Sequence, residues 1–218
     1  MKPLPDKLCV SIAVADPARC RELLSKYTFA EIRLDALAGD LVDIGRIFAL
    51  PVTLIATCRP GPHDDVIRER RLRAAIEAGA AWVDVEREAP DAWREAVAAA
   101  ACRHGSRVIV SHHDFAGTPD LPELRRLVAD CFTHGADLAK VACRVRAPRE
   151  NARLLALLDD DWPVVPVGMG TAGRLTRIMA PLLGSPFTFC APDDGPSTAP
   201  GQLTHAEMLA AWECLADE

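Results

Sequence analysis

No Cys-x-x-Cys pair occurs in this chain, although its 218 residues include eight cysteines. Zinc ribbons and dithiol redox centres are built on that spacing, so both are excluded and no metal site is expected. Cys9, Cys58, Cys143 and Cys190 fall in short apolar runs, where a free thiol behaves as a small buried hydrophobe. No uninterrupted apolar run approaches the ~20 residues of a membrane span, and residues 1–7 lack a signal-like apolar stretch. An excess of positive charge is also missing. At a net charge of −6 the chain has no field that favours nucleic acid or an anionic membrane. The sequence therefore reads as a soluble, cytoplasmic protein acting on a small molecule. No Gly-x-Gly-x-x-Gly follows the first strand, which argues against a dinucleotide fold.

What is present is a regular alternation. Short β-branched runs are predicted as strands at 8–14, 30–35, 52–58, 82–86, 107–113, 138–143, 164–169 and 187–190, and their starts recur at intervals of 22 to 31 residues. Apolar stripes at helical spacing fill the gaps, such as Trp93/Val97/Ala100/Ala101 and Leu124/Leu127/Val128/Cys131. Asp120–Glu123 reads as a helix start. Thr204-His205-Ala206-Glu207 has the capping-box pattern and opens a last helix whose buried face is expected to be Met208, Trp212 and Leu215. Eight strand–helix units without an evident seam predict one compact (β/α)8 TIM barrel over residues 1–218, forming a single catalytic domain; an open doubly wound sheet is the alternative.

Residues two apart along a strand share a face. Glu31, Arg33 and Asp35 do so on strand two, Thr57 and Arg59 at the end of strand three, Asp84 and Glu86 on strand four, and Ser111 and His113 on strand five. All lie toward the C-terminal ends of their strands, where barrels build active sites. A single strand-end carboxylate is usually a cap or a solvated rim residue; four consecutive strands with the same habit predict convergence on one lumen.

Lys140 stands in the apolar run Ala136–Cys143, which otherwise reads as a buried strand. On its own it has two readings. One is a lysine snorkelling its head into water, the commoner case; the other is a desolvated amine nucleophile. His113, one strand away and within reach of the same small molecule, favours the second, because it supplies the acid–base group an amine nucleophile needs. His112 points the opposite way and is read as structural.

Taken together, these residues resemble the type I 3-dehydroquinate dehydratases of the shikimate pathway, in the order Glu31-Ile32-Arg33-Leu34-Asp35, Thr57-Cys58-Arg59, Asp84-Val85-Glu86, Ser111–Phe115, Lys140, Met169-Gly170, Gly173, Arg177, Gly184–Phe189 and Thr198-Ala199-Pro200-Gly201-Gln202. The resemblance implies a lyase that needs no cofactor and removes water from 3-dehydroquinate. Lys140 would form a Schiff base with the ketone, and His113 would act as general base and then general acid. The acidic pair Asp84 and Glu86 would order both. Arg177, with Gln202 and Thr198, would clamp the substrate carboxylate. Glu31, Arg33 and Arg59 would grip the ring hydroxyls, and Met169 and Phe189 would pack against the ring. The stretches 185–189 and 196–202 would frame the mouth, the second as a lid. Relatives are often homodimers, which is the partner the resemblance implies.

Three features depart from that family's pattern. A glutamate that helps hold the catalytic histidine is common four residues after the strand-three arginine; here His63 takes that place, with Asp64 and Asp65 as alternative holders. Thr198 takes a serine's place in the lid. The chain begins close to strand one, so an N-terminal hairpin plugging the barrel bottom is not expected. Two other functions fit part of the pattern. A class I aldolase would use the glycines of 168–173 to cradle a sugar phosphate. A catalytically impaired metabolite sensor would account for His63.

Overall fold

The computed structural model describes residues 4–216. Strands and helices alternate as Leu8–Ile12 (β1), Pro17–Leu24 (α1), Phe29–Arg33 (β2), Leu41–Phe48 (α2), Thr53–Thr57 (β3), Asp65–Glu77 (α3), Trp82–Glu86 (β4), Asp91–His104 (α4), Arg107–Asp114 (β5), Leu121–Thr133 (α5), Leu138–Arg144 (β6), Glu150–Leu155 (α6), Val164–Met169 (β7), Arg174–Met179 (α7), Thr188–Cys190 (β8) and His205–Ala216 (α8). All strand pairings are parallel, in the order β7-β6-β5-β4-β3-β2-β1-β8. The order never reverses, and β8 returns beside β1, so the sheet curls into a (β/α)8 barrel and the doubly wound alternative is excluded. At the remaining seam Ser185 Oγ donates to the carbonyl of Val164 at the start of β7, 3.3 Å away.

Aspartates set where several helices start. Asp16, Asp40, Asp64 and Asp120 each accept a backbone N–H of the first turn, satisfying a donor the helix leaves free. Thr204 and Glu207 form the reciprocal capping box expected of α8. Each helix thus begins just beyond the C-terminal end of a strand, which holds the connecting loops over one face of the barrel.

Alternation along the strands separates two apolar compartments. One lies between the sheet and the helices. The other fills the barrel and includes Cys9, Ile55, Ile109, Leu138, Val165 and Val167. Phe29, Trp82 and Phe187 close its lower end edge to face, with the Arg107 guanidinium 3.7 Å from the Trp82 ring centroid. Only one turn of 3-10 helix, Leu4–Lys7, precedes β1 among the described residues.

Two sequence expectations are corrected. Ser185–Phe187 precede β8 and lie at the barrel bottom, so of the 185–189 stretch Phe189 alone reaches the opposite face. Leu215, expected on the buried face of α8, is 58% exposed, whereas Met208 and Trp212 are buried. It sits in the last helical turn, past the point where Trp212 docks on the Ile178 carbonyl. Among the described residues no helix is long and apolar enough to cross a membrane.

Candidate active site

A cavity of ≈ 800 Å³ opens over the C-terminal ends of the strands. That is ample for a small ring with its substituents. Glu31 and Arg33 from β2, Arg59 just after β3, Glu86 from β4, His113 from β5, Lys140 from β6, Met169 from β7 and Phe189 from β8 all line it, with Arg177 from α7 and Thr198 and Gln202 from the last loop. The period-two pattern explains the convergence: in the β5–β6 register Ser111 pairs with Lys140 and His113 with Ala142, so the polar side chains of both strands point inward.

Lys140 is buried, and it is paired rather than isolated. Its Nζ lies 3.0 Å from Asp84 Oδ2 and 3.5 Å from Glu31 Oε1, and 4.1 Å from the centroid of the Phe189 ring. Glu31, which the resemblance gives to ring hydroxyls, stays on the cavity wall and is also the lysine's second carboxylate. It also accepts from Ser11 Oγ and, at 2.9 Å, from Thr57 Oγ1. Burial alone would raise the Glu31 carboxyl; Lys140, and then Arg59 and the Ser11 hydroxyl, outweigh it and hold the group below its ordinary value. Asp84 is absent from the cavity wall and lies beneath Lys140 and Arg59. Burial raises it too, but Arg59 and Lys140 pull it well below the usual carboxylate range, with Ser111 Oγ donating at 2.6 Å.

His113 is half-buried at the end of β5, and neither ring nitrogen makes a hydrogen bond among the described residues. Its ring stacks on Phe115 with centroids 6.2 Å apart. Burial, then the Arg59 and Lys140 cations, push its pKa well below the ordinary histidine value, against the pull of Asp84. At neutral pH it is a free base facing the cavity. His112 faces outward, where its Nδ1 pairs with Glu88. None of the three residues considered as its holder is hydrogen-bonded to His113: Asp64 caps α3, Asp65 Oδ1 receives Arg68 Nη1 at 2.7 Å, and His63 makes no hydrogen bond among the described residues.

Arg177 is 1% exposed and has no carboxylate partner among the described residues. Nη1 donates to the Phe189 carbonyl at 3.2 Å, and Nε has no partner there. Burial lowers its pKa to about 10, only partly countered by Cys190 and Glu31. A buried, under-satisfied guanidinium in a cavity wall is set to receive a planar anion through two N–H groups. In the last loop Gln202 Oε1 accepts from the Thr198 backbone and hydroxyl at 3.0 Å each, and the Thr198 hydroxyl meets Ser11 Oγ at 2.9 Å.

Arg33 forms a two-pronged pair with Asp35, at 3.0 and 2.7 Å, and Asp35 also accepts the Arg59 backbone N–H. Arg59 itself reaches Asp84 at 2.8 Å, Glu86 at 2.9 Å and Ser111 at 3.0 Å. Two residues of this network escaped sequence reasoning. Ser11 looks like a filler in an apolar strand, yet its period-two relation to Cys9 places it in the lumen. Arg68 lies on the same helical face as Leu72, Ala75 and Ile76, where a charge demands partners.

The glycines of 168–173 serve packing. A Cβ on Gly168 would fall 2.7 Å from the Gly173 carbonyl oxygen, and the Gly170 N–H is taken by the Pro200 carbonyl at 2.9 Å. The Gly168, Gly170 and Gly173 amides are thus committed to the turn and to the last loop. Among the described residues no cluster of three or more His, Cys, Asp or Glu side chains is placed to hold a metal.

Comparison with known proteins places the chain among relatives. The family model for type I 3-dehydroquinase matches residues 8–217. A 3-dehydroquinate dehydratase from Dehalococcoides mccartyi is 33% identical over 216 residues, covering 95% of each chain. One from Syntrophobacter fumaroxidans is 36% identical over 205 residues, covering 85% of each. Among solved structures, the 3-dehydroquinate dehydratase of Geobacillus kaustophilus HTA426 superposes with a TM-score of 0.84 at 23% identity, covering 95% of this chain and 90% of that one, a likeness of fold.

Proposed function

The chain belongs to the type I 3-dehydroquinase family, and on that premise we propose that it dehydrates 3-dehydroquinate to 3-dehydroshikimate through a Schiff base on Lys140. The amine gives a proton to water in the open cavity and attacks the ketone carbon; a proton taken back by the carbinolamine hydroxyl lets it leave as water, and an iminium remains. That iminium acidifies the neighbouring C–H, so a neutral imidazole suffices to remove the proton and leave an enamine. His113, now protonated, returns the proton to the departing hydroxyl as the enamine collapses. Water then hydrolyses the product iminium and frees Lys140. His113 carries the proton of the elimination from carbon to oxygen, and no step calls for a cofactor.

The observation that carries this reading is the placement of Lys140 and Arg177 in the wall of one cavity, the first between two carboxylates and the second without any among the described residues. Arg177 would hold the substrate carboxylate, with Thr198 and Gln202 closing over it. Arg33 and Arg59 would meet ring hydroxyls, and Met169 and Phe189 would face the ring. Glu31 and Asp84 would order the lysine, and Glu86 would order Arg59. The barrel would act as one catalytic domain in the cytoplasm, as a homodimer; Leu175, Leu183 and Leu215, all about half exposed, offer apolar surface that a second copy would cover.

Borohydride reduction in the presence of 3-dehydroquinate, followed by peptide mass spectrometry, should place a single adduct on Lys140, and turnover should appear as the ultraviolet absorbance of the conjugated enone. Absence of both would reject the assignment. A sugar-phosphate adduct in their place would support an aldolase, a reading the occupied Gly170 amide disfavours. Tight substrate binding with no adduct and no turnover would support a metabolite sensor.

A further inference from the structure

We propose that Arg68 is a positioning residue of the reaction, fixing Glu86 and, through it, the Arg59 guanidinium that shares the cavity wall with His113. The inference rests on the dehydratase reading and extends it to a residue outside the strands.

Arg68 lies one turn into α3 on the helix's buried face, and its side chain is 3% exposed. A guanidinium there is tolerated only if its donors are used. Nε donates to the Cys58 carbonyl at 2.9 Å, Nη1 to Asp65 at 2.7 Å and Nη2 to Glu86 Oε2 at 2.6 Å, while the Trp93 ring lies 4.7 Å from its central carbon. The other oxygen of Glu86 receives Arg59 Nη1. Arg68 therefore holds Arg59 at both ends: the backbone just before it, through Cys58, and the head group, through Glu86. From Arg59 the chain of contacts passes to Asp84 and then to Lys140.

This matters because His113 has no hydrogen-bonded carboxylate of its own among the described residues. Its protonation is governed by the charges around it: Arg59 beyond β3, Asp84 and Glu86 from β4, His112 on its own strand and Lys140 from β6, with Glu31, Arg33, Glu88 and Arg177 also on the cavity wall. Arg59 is the largest of the charges that keep it neutral. Without Arg68, Glu86 would be left with one cation and would draw Arg59 into a two-pronged pair, away from Asp84 and Ser111. His113 would then feel more of Asp84 and less of Arg59, and would hold its proton to higher pH.

The test compares wild type, Arg68→Met, Glu86→Gln and the double variant. Wild-type turnover of 3-dehydroquinate checks the dehydratase reading on its own. Histidine-selective NMR titration reads His113 in each protein without needing activity, and thermal melting reports folding. Arg68→Met should lower kcat/KM by about 10- to 100-fold, shift the acid limb upward by at least half a pH unit, and move the His113 titration the same way. The double variant should be no slower than Glu86→Gln alone, because the effect passes through Glu86. An unmoved acid limb and unmoved titration, or losses that multiply in the double variant, would overturn the proposal. Should Arg68→Met fail to fold, Arg68→Gln decides: it keeps a polar donor for the Cys58 carbonyl but takes the second cation from Glu86, so the same upward shift is required.

Discussion

Asp84 Oδ2 serves Lys140 and Arg59 at once, at 3.0 and 2.8 Å, so the amine and the guanidinium share one buried oxygen. The arrangement solves a problem posed by the sequence. A lysine in the middle of an apolar strand must be either neutral or paired, and here pairing comes from the floor of the site. The open side of Lys140 is left to the cavity, where an incoming carbonyl can reach it.

Asp84→Asn keeps the shape and removes the charge. Breaking a buried pair by neutralising one partner costs about 3–5 kcal/mol, and the remaining contacts of Lys140 and Arg59 to Glu31 and Glu86 place the expected loss near the lower end. The sign with pH is fixed. Asp84 titrates lower when folded than when unfolded, so its contribution is full well above the ordinary value of 3.8 and is lost as pH falls below it. Urea unfolding should show the gap between wild type and variant at pH 7 and a narrowing gap below pH 4.

His113 is held neutral by burial and by two neighbouring cations. The acid limb of kcat/KM should therefore lie well below 6.5, and activity should persist through mildly acidic pH. His113→Asn should lower kcat by roughly 10²- to 10⁴-fold while the borohydride adduct on Lys140 still forms. An acid limb above 6.5 in the wild type would contradict the charge arrangement.

The barrel and the inward polar residues were legible because both follow from local periodicity. Strand spacing gave the eight units, and a period of two put Glu31, Asp84, Ser111 and His113 on the lumen side of their strands. Partner choice was not legible. Glu31 and Glu86 look interchangeable in the sequence, but the barrel's register brings Glu31 to Lys140 and leaves Glu86 between two arginines. Arg68 and Ser11 carry no local sign of importance except their place on a buried face. Ser185–Phe187 failed in another way: their motif was recognisable, but its position before β8 sends them to the barrel bottom.

Arg177 sets binding against stability. Its buried guanidinium has an unpaired Nε and a pKa lowered to about 10, so keeping it charged at neutral pH costs the folded state. Arg177→Met should raise the melting temperature. The same change removes charge-assisted hydrogen bonds to the substrate carboxylate, worth about 1.5–3 kcal/mol, and should raise KM by roughly 10- to 100-fold. Steady-state kinetics and thermal melting on one preparation check both signs.

Two glycine-to-alanine changes should have opposite effects. Gly201 has φ +79°, and a Cβ there would stand 2.3 Å from the Gly170 carbonyl oxygen, where the lid docks on the turn after β7. The lid must shift, carrying Thr198 and Gln202 with it, so KM should rise about tenfold while the barrel melts near its original temperature, since a displaced lid costs only its own contacts. Gly45 lies inside α2, and a Cβ added there would meet no atom within 4 Å. There the substitution only restrains the unfolded chain and improves helix propensity, which should add about 0.5–1 kcal/mol of stability and leave KM unchanged. A KM unaffected by Gly201→Ala would mean that the 196–202 loop does not contact the substrate.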